Sequence, residues 1–217
     1  MHTRVVEPEL LEALPDDHPD AICARQDLLL VNGVMGNHRW IERTLRQHYQ
    51  PGWRITEIGA GDGALSRRLW QSRLCEARDL HAFDLATQPA AWPVGAVWTR
   101  GNLFHHPLPD TEVLLANLFL HHFELPQLRL LGRRLAPRTR LILAAEPARY
   151  HVHSLLGRIL CILTGLHPVT CYDMQVSIRA GFQGEELRRS LGLGPEWTCT
   201  AEARPFGSYR FIARRTN

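Results

Sequence analysis

Residues 54–63 read RITEIGAGDG, in which a β-branched apolar run leads into three glycines at alternate positions. The run predicts a buried strand, and the glycines predict a tight turn into a helix whose first backbone N–H groups can approach a ligand closely. A dinucleotide-binding turn is typically spaced G-x-G-x-x-G, whereas the third glycine here, Gly63, comes one residue earlier. The carboxylate of Glu57, two residues before the first glycine, would also repel a pyrophosphate. The segment therefore predicts a strand–turn–helix unit that binds a cationic amino-acid ligand.

Length and composition point to one main domain. With 217 residues and 45% hydrophobic content, the chain can bury one sizeable core and still carry a cap. All 25 basic residues are arginines spread along the chain, so the net charge of +3 fits genomic base composition better than a basic groove, and we expect no nucleic-acid partner. The absence of lysine excludes Schiff-base chemistry and a Walker-type phosphate loop.

Strand-like and helix-like segments alternate from about residue 53 to the C-terminus, which is typical of an α/β sheet with helices on both faces. The last two strand patterns alternate with period two around Pro205-Phe206-Gly207, which predicts a hairpin and an antiparallel last strand. The fold class is therefore α/β, a Rossmann-like doubly wound, mostly parallel sheet with an antiparallel C-terminal strand. The predicted strands are residues 53–61, 80–86, 96–104, 111–120, 140–147, 197–204 and 207–215, with helices at 62–74 and 125–135.

Additional segments surround this sheet. Residues 1–50 are predicted to form an N-terminal arm, loosely held up to Asp20, followed by helices over residues 25–49 that cover the domain. The domain itself is expected at residues 51–217, with a helical cap insertion at about 147–182. Within the cap, SLLGRILCILTGL (residues 154–166) is apolar almost all round but too short and too charged, with Arg158, to span a bilayer. This segment could be a buried core helix, form a homodimer interface, lie on a membrane surface or line an apolar pocket.

The five cysteines are widely spaced, with no C-x-x-C pair and no secretory leader in front of them. We expect reduced thiols in a cytoplasmic protein.

Over roughly residues 34–214 the chain resembles the class I S-adenosylmethionine (SAM)-dependent methyltransferases. EIGAGDG (57–63) stands at the glycine motif of that family, Asp84 at the acid that ends its second strand, and ANLFLHHF (116–123) at the motif that ends its fourth. The resemblance implies that SAM is the cofactor, with its methionine moiety at the glycine loop, its ribose at Asp84 and its adenine at Asn102, where the family commonly has Asp. The implied cofactor-binding residues are Glu57, Gly59, Ala60, Gly61, Gly63, Asp84, Leu85, Asn102, Leu103 and Asn117.

A narrower resemblance concerns the small-molecule methyltransferases of the ubiquinone and menaquinone type, especially those encoded beside type III polyketide synthases. NGVMGNHRWIERTLRQ (32–47) and VSIRAGFQGEEL (176–187) carry it. It implies a lipophilic, polyketide-derived phenol or quinone-like compound as methyl acceptor. The SAM motifs together with the apolar cap predict an O-methyltransferase acting on a phenolic or quinol metabolite. C-methylation of an electron-rich ring and a non-catalytic SAM-binding scaffold remain as alternatives.

Methyl transfer to a hydroxyl needs a group that removes the proton of the acceptor. His121 and His122 follow the fourth strand at the carboxyl edge, where open α/β sheets bind ligands, and a neutral imidazole there could accept that proton. The histidine pairs lack the cysteine partners and the helical spacing of common zinc sites, so no metal is predicted. The further candidates, assigned to substrate binding, are Asn37, His38, Glu146, Tyr172 and Arg179.

Overall fold

The computed structural model describes residues 3–15, 17–135 and 137–216. Three N-terminal helices precede the sheet: α1 (Leu10–Ala13), α2 (Pro19–Met35) and α3 (Asn37–His48). The sheet strands are β1 (Ile55–Ile58), β2 (Leu80–Asp84), β3 (Val97–Arg100), β4 (Val113–Asn117), β5 (Leu141–Pro147), β6 (Trp197–Ala203) and β7 (Ser208–Arg215). The remaining helices are α4 (Ala64–Gln71), α5 (Leu125–Arg134), α6 (His151–Thr164), α7 (Pro168–Ala180) and α8 (Glu186–Leu191).

The seven strands form one sheet in the order β3-β2-β1-β4-β5-β7-β6. β1 to β5 run parallel, and β7 pairs antiparallel with both β5 and β6. This arrangement confirms the predicted Rossmann-like α/β sheet with an antiparallel C-terminal strand. Strands β1 to β4 and β6 end earlier than predicted, whereas β5 and β7 end at the predicted residue. β1, for example, stops at Ile58 because Gly59 turns the chain with φ +68°.

The central strands are buried on both faces, as expected for parallel strands covered by helices. Leu114 of β4 packs into the cluster that contains Leu128 of α5, while the adjacent Leu115 packs on the opposite face with Ile41 of α3 and Leu65 of α4. Each such leucine or isoleucine contributes roughly 1.5–3 kcal/mol when fully buried. The two clusters fix α3 and α4 on one face and α5 on the other, and thereby the loops at the carboxyl edge.

The N-terminal helices differ in detail from the prediction. The helical region begins at Pro19 rather than residue 25, and Gly36 (φ +66°) divides it into α2 and α3. Ile41 and Leu45 of α3 are fully buried against the sheet.

The prediction that the chain up to Asp20 is loosely held is wrong for the described residues. The guanidinium of Arg4 donates to the carbonyl oxygens of Ala180 and His121, at 2.6 and 2.7 Å. Asp173 of α7 accepts hydrogen bonds from the first two backbone N–H groups of α1, at 2.7 and 3.0 Å. Composition suggested disorder, but these long-range contacts tie the arm to α7 and to the segment after β4.

Helices α6 and α7 form a hairpin between β5 and α8. Gly157 lets the two helices approach, because a Cβ there would lie 2.8 Å from the sulfur of Met174. A disulfide joins Cys161 to Cys171, whose Cα atoms are 5.9 Å apart, so the prediction of five reduced thiols is wrong for this pair. The α6–α7 hairpin brings the two cysteines together. Their separation of ten residues in the sequence does not by itself predict this pairing. Cys23, Cys75 and Cys199 are free.

In the described part of the chain, no helix combines the length and apolar character needed to cross a membrane.

Candidate functional site

A cavity of about 1060 Å³ opens at the carboxyl edge of the sheet. The loops after β1, β2, β3 and β4 form one side of it, and α2, α6 and α7 form the other. Its strand-edge side carries the predicted cofactor residues Glu57, Gly59, Ala60, Gly61, Asp84, Leu85, Asn102, Leu103 and Asn117, whereas Gly63 lies just behind the loop at the start of α4. Its helical side is mostly apolar, with Leu28, Leu29, Val31, Val34, Leu156, Ile159, Leu160, Leu163, Met174 and Ile178.

The glycine loop adopts a backbone that side chains would disturb. Gly59, Gly61 and Gly63 all have positive φ, between 55 and 71°. A Cβ on Gly59 would lie 2.1 Å from the ring of Phe119, whereas a Cβ on Gly61 would meet nothing within 4 Å. Packing against Phe119 therefore requires glycine at position 59, whereas Gly61 borders the open space of the cavity.

Glu57 is buried at the end of β1 and faces the start of α4. One carboxylate oxygen accepts from the backbone N–H and the hydroxyl of Ser66, at 3.1 and 2.5 Å. Burial raises the pKa of Glu57 to about 8, with Ser66 opposing the shift. In the ligand-free protein this acid is largely protonated at neutral pH, and a cationic ligand would favour its ionised form.

The raised pKa of Glu57 has a consequence for stability. Its folded-state pKa exceeds the unfolded value, so its contribution is full below about pH 4.5 and is lost as pH rises towards and through about 8. We expect Glu57→Gln, which mimics the protonated acid, to flatten the decline of unfolding free energy between pH 5 and 9. Urea titrations of both proteins across this range measure the difference, and parallel pH curves would contradict the prediction.

Asp84 braces the glycine loop. One of its carboxylate oxygens accepts from the N–H of Gly61 and the other from the N–H of Ala86, each at 2.8 Å. Asn102, after β3, uses its side-chain oxygen to accept from Phe104 N–H at 2.8 Å, so its amide group remains for a ligand. Both residues line the cavity.

Asn117, at the end of β4, meets two residues of the N-terminal helices inside the cavity. Its amide nitrogen lies 3.0 Å from the side-chain oxygen of Asn32 and 3.3 Å from Nε2 of His38. Its own side-chain oxygen is buried with no hydrogen-bond partner among the described residues. Burial lowers the pKa of His38, so this cavity-lining imidazole is neutral at physiological pH.

His121 sits between two carboxylates. Its Nδ1 lies 2.8 Å from Glu146, which is fully buried, and its Nε2 lies 3.3 Å from Glu9 of the N-terminal arm. Burial lowers the pKa of His121, but the two carboxylates more than compensate and bring it to about 9. The imidazole is therefore charged and bonded through both nitrogens, which argues against the prediction that neutral His121 accepts a proton.

His122 stacks beside His121, with ring centroids 4.2 Å apart. Its Nδ1 lies 2.9 Å from the half-exposed Glu12 of α1. Both histidines line the cavity, as do Glu9 and Glu12.

The structure does not bring the other predicted substrate-binding residues to this cavity. Asn37 is fully buried and accepts from the hydroxyl of Ser208 at 2.7 Å. Glu146 accepts backbone N–H groups of residues 119–121 beneath the cavity. Tyr172 is exposed on α7, and Arg179 forms an ion pair with Glu7. Of the five candidates, His38 alone lines the cavity.

Several residues of the site are not predicted by the sequence patterns. Phe119 is the wall that makes Gly59 necessary, and Asn32 is the partner of Asn117. Asn32 lies inside the motif that carried the narrower resemblance, which was an available signal. No local pattern indicates that Glu9 and Glu12 reach His121 and His122, because more than a hundred residues separate them.

Solved structures with the same fold are known. Over 95% of this chain and 93% of theirs, the plantazolicin methyltransferase BpumL in complex with S-adenosylhomocysteine (SAH) superimposes with a TM-score of 0.70 at 10% identity. The chain has a methyltransferase fold. Human N-acetylserotonin methyltransferase in complex with SAM has a TM-score of 0.57 at 16% identity, covering 95% of this chain and 61% of its own.

A third similar structure is magnesium protoporphyrin IX methyltransferase from Synechocystis PCC 6803 with bound SAH. Its TM-score is 0.56 at 15% identity, over 84% of this chain and 83% of its own. No protein-family model and no curated protein sequence matches the chain.

Proposed function

We propose that this chain is a SAM-dependent methyltransferase that methylates a lipophilic small molecule, at the hydroxyl of a phenolic or quinol polyketide-type metabolite. One observation carries the proposal: a single cavity joins a polar glycine-loop end to an apolar end formed by α2, α6 and α7. The first suits a charged nucleoside and the second an apolar acceptor. Structures of the same fold are described with bound SAM or SAH, which supports the cofactor.

The polar end of the cavity fits SAM group by group. The ammonium of the ligand can donate to the unpaired side-chain oxygen of Asn117, and Glu57 offers a compensating acid. The carboxylate of Asp84 suits a ribose diol, and the amide of Asn102 suits adenine. SAM supplies an activated methyl group on a sulfonium; the chain supplies position and a water-poor apolar wall.

His38 is the better proton acceptor in this proposal. Bound SAM would supply the methyl group to the hydroxyl oxygen and would leave as SAH, and the imidazole of His38 would accept the hydroxyl proton. His38 is neutral and lines the cavity, and its 3.3 Å contact with the amide of Asn117 is long enough to yield to an entering hydroxyl. His121 does not meet the same requirement, because the carboxylates of Glu146 and Glu9 raise its pKa to about 9 and keep its imidazole protonated.

Cofactor binding gives the first test. We expect calorimetric titration to show SAM and SAH binding and no response to NADH. Asp84→Ala should weaken SAM affinity by about 1–3 kcal/mol, through loss of a charged acceptor and of the brace on Gly61. Glu202→Ala, on the distant β6 strand, serves as the matched control and should leave affinity unchanged. The absence of a calorimetric binding signal with SAM would overturn the proposed function.

Turnover gives the second test. With radiolabelled SAM and a panel of alkylresorcinols, pyrones and quinols, we expect His38→Gln to lower turnover about 10- to 100-fold at pH 7 with SAM affinity unchanged. The deficit should narrow towards pH 10, where a phenol ionises without help. His48→Gln, at the opposite edge of the sheet, is the control.

The products of the same panel decide between the alternatives. Methyl ethers identify an O-methyltransferase, and ring-methylated products would identify a C-methyltransferase. SAM binding with no turnover on any acceptor would favour a non-catalytic SAM-binding protein. Equal turnover of the chain and His38→Gln would remove His38 from the mechanism.

A further inference from the structure

Two acidic side chains of the N-terminal arm face the histidine pair that follows β4. Glu9, His121 and His122 each offer one ligand atom, and these atoms all lie within 4.8 Å of one another. Glu12, one helical turn after Glu9, lies 2.9 Å from Nδ1 of His122 and adds a second carboxylate. Imidazole nitrogens and carboxylate oxygens are the ligands that zinc and neighbouring divalent transition metals take in proteins.

His121 is oriented in the way that a metal-binding histidine requires. Its Nδ1 is bound to the buried carboxylate of Glu146 at 2.8 Å, which leaves Nε2 directed at Glu9, 3.3 Å away. A carboxylate behind a ligating histidine fixes the ring and raises its basicity, and this carboxylate–histidine–metal arrangement recurs in zinc proteins. Glu146 is itself held by three backbone N–H groups, so the orientation is rigid.

The arm also makes contacts that do not involve the side chains of the histidine pair. Asp173 holds the start of α1, and the hydroxyl of Ser177 donates to Glu9. Arg4 is anchored on Ala180 and on the ring of Phe182, 4.8 Å from its centroid. Glu9 and Glu12 are therefore presented to the histidines by α7, not by their attraction to the histidines alone.

We propose that Glu9, His121 and His122, with Glu12 as a fourth ligand, bind one divalent transition metal ion of the zinc type. In a tetrahedral zinc site with bonds of about 2.0–2.2 Å, neighbouring ligand atoms are about 3.3–3.6 Å apart. Side-chain movements of about 1 Å therefore bring the ligand atoms of Glu9, His121 and His122 to these distances. The site lies on the cavity wall, and the metal ties the N-terminal arm across the cavity.

The test measures metal binding without SAM, so its outcome is independent of methyl transfer. Tag-free protein is titrated with Zn²⁺ and with Co²⁺, retained zinc is counted after dialysis, and the visible spectrum of the Co²⁺ form is recorded. The variants are His122→Ala and Glu9→Gln. His48→Ala removes a histidine from the opposite edge of the sheet and controls for adventitious binding.

We expect one zinc per chain and Co²⁺ absorption bands typical of imidazole coordination that Zn²⁺ abolishes. Each variant should weaken zinc affinity at least about tenfold, and the control should stay within about twofold. Failure to retain zinc, or equal affinity in the chain and both variants, would overturn the proposal. The Co²⁺ spectrum of the unsubstituted chain decides the question even if a variant folds poorly, since a Co²⁺ form without these bands would also overturn it.

Discussion

Glu146→Ala is expected to lower the unfolding free energy by about 3–5 kcal/mol, the range for removing one partner of a buried charge pair. Glu146 is fully buried and accepts from the N–H groups of Phe119, Leu120 and His121. It also holds Nδ1 of His121 at 2.8 Å. Alanine would leave these donors and a buried imidazole without their acceptor, each at a cost of desolvation. Urea unfolding followed by circular dichroism measures the change.

Two variants separate the buried site from a general loss of a glutamate. Glu146→Gln keeps the shape of the side chain and one acceptor oxygen. Its unfolding free energy should therefore lie between those of the unsubstituted protein and of Glu146→Ala. Glu202→Ala removes an exposed glutamate of β6, whose carboxylate is 3.5 Å from Arg204, and should change stability by less than about 0.5 kcal/mol. Equal effects of Glu146→Ala and Glu202→Ala would mean that Glu146 does not stabilise the segment after β4. Glu146 was predicted to bind substrate, but its contacts are with the backbone and the imidazole of the segment after β4, which it positions.

The sheet could be predicted because its determinants are local. A parallel strand buried on both faces appears as a continuous apolar run, and β4 and β5 are such runs. The hairpin of β6 and β7 was visible from period-two alternation around Pro205-Phe206-Gly207. The predicted strands β1 and β4 were too long at their carboxyl ends. The residues that follow each strand are still apolar, although the hydrogen bonds of the sheet have already ended.

The parts of the site formed by strand ends could be predicted. The parts formed by contacts between residues far apart in the sequence could not. Asp84 and the glycines meet because the carboxyl ends of adjacent parallel strands share one edge. The contact of Glu9 with His121 spans 112 residues and is set by the packing of α1 on α7. The Cys161–Cys171 disulfide likewise depends on the α6–α7 hairpin. The composition of the arm predicted a loosely held segment. It could not reveal the partners that hold the arm, because these lie far away in the sequence.

Gly59→Ala is expected to abolish cofactor binding and to destabilise the chain by roughly 2–5 kcal/mol. Its Cβ would lie 2.1 Å from two ring atoms of Phe119. The position of Cβ is set by the backbone, so the side chain of alanine cannot rotate away from the ring. Phe119 packs edge-on against Phe123 with centroids 4.9 Å apart, so the ring cannot withdraw without moving its neighbour. The clash adds roughly 1–3 kcal/mol to a left-handed backbone cost of about 1–2 kcal/mol. Calorimetric SAM titration and urea unfolding measure the two effects.

Two matched alanine variants divide these effects into strain, clash and ligand contact. Gly52→Ala introduces Cβ at φ +85° with nothing within 4 Å, so it should cost about 1–2 kcal/mol of stability and leave SAM affinity unchanged. Gly61→Ala also meets open space, at φ +55°, but that space belongs to the cavity. If SAM occupies the glycine loop as proposed, Gly61→Ala destabilises the chain no more than Gly52→Ala yet loses SAM affinity at least about tenfold. Unchanged affinity in Gly61→Ala would place the ligand elsewhere in the cavity, because the loop backbone would then have no close contact with it.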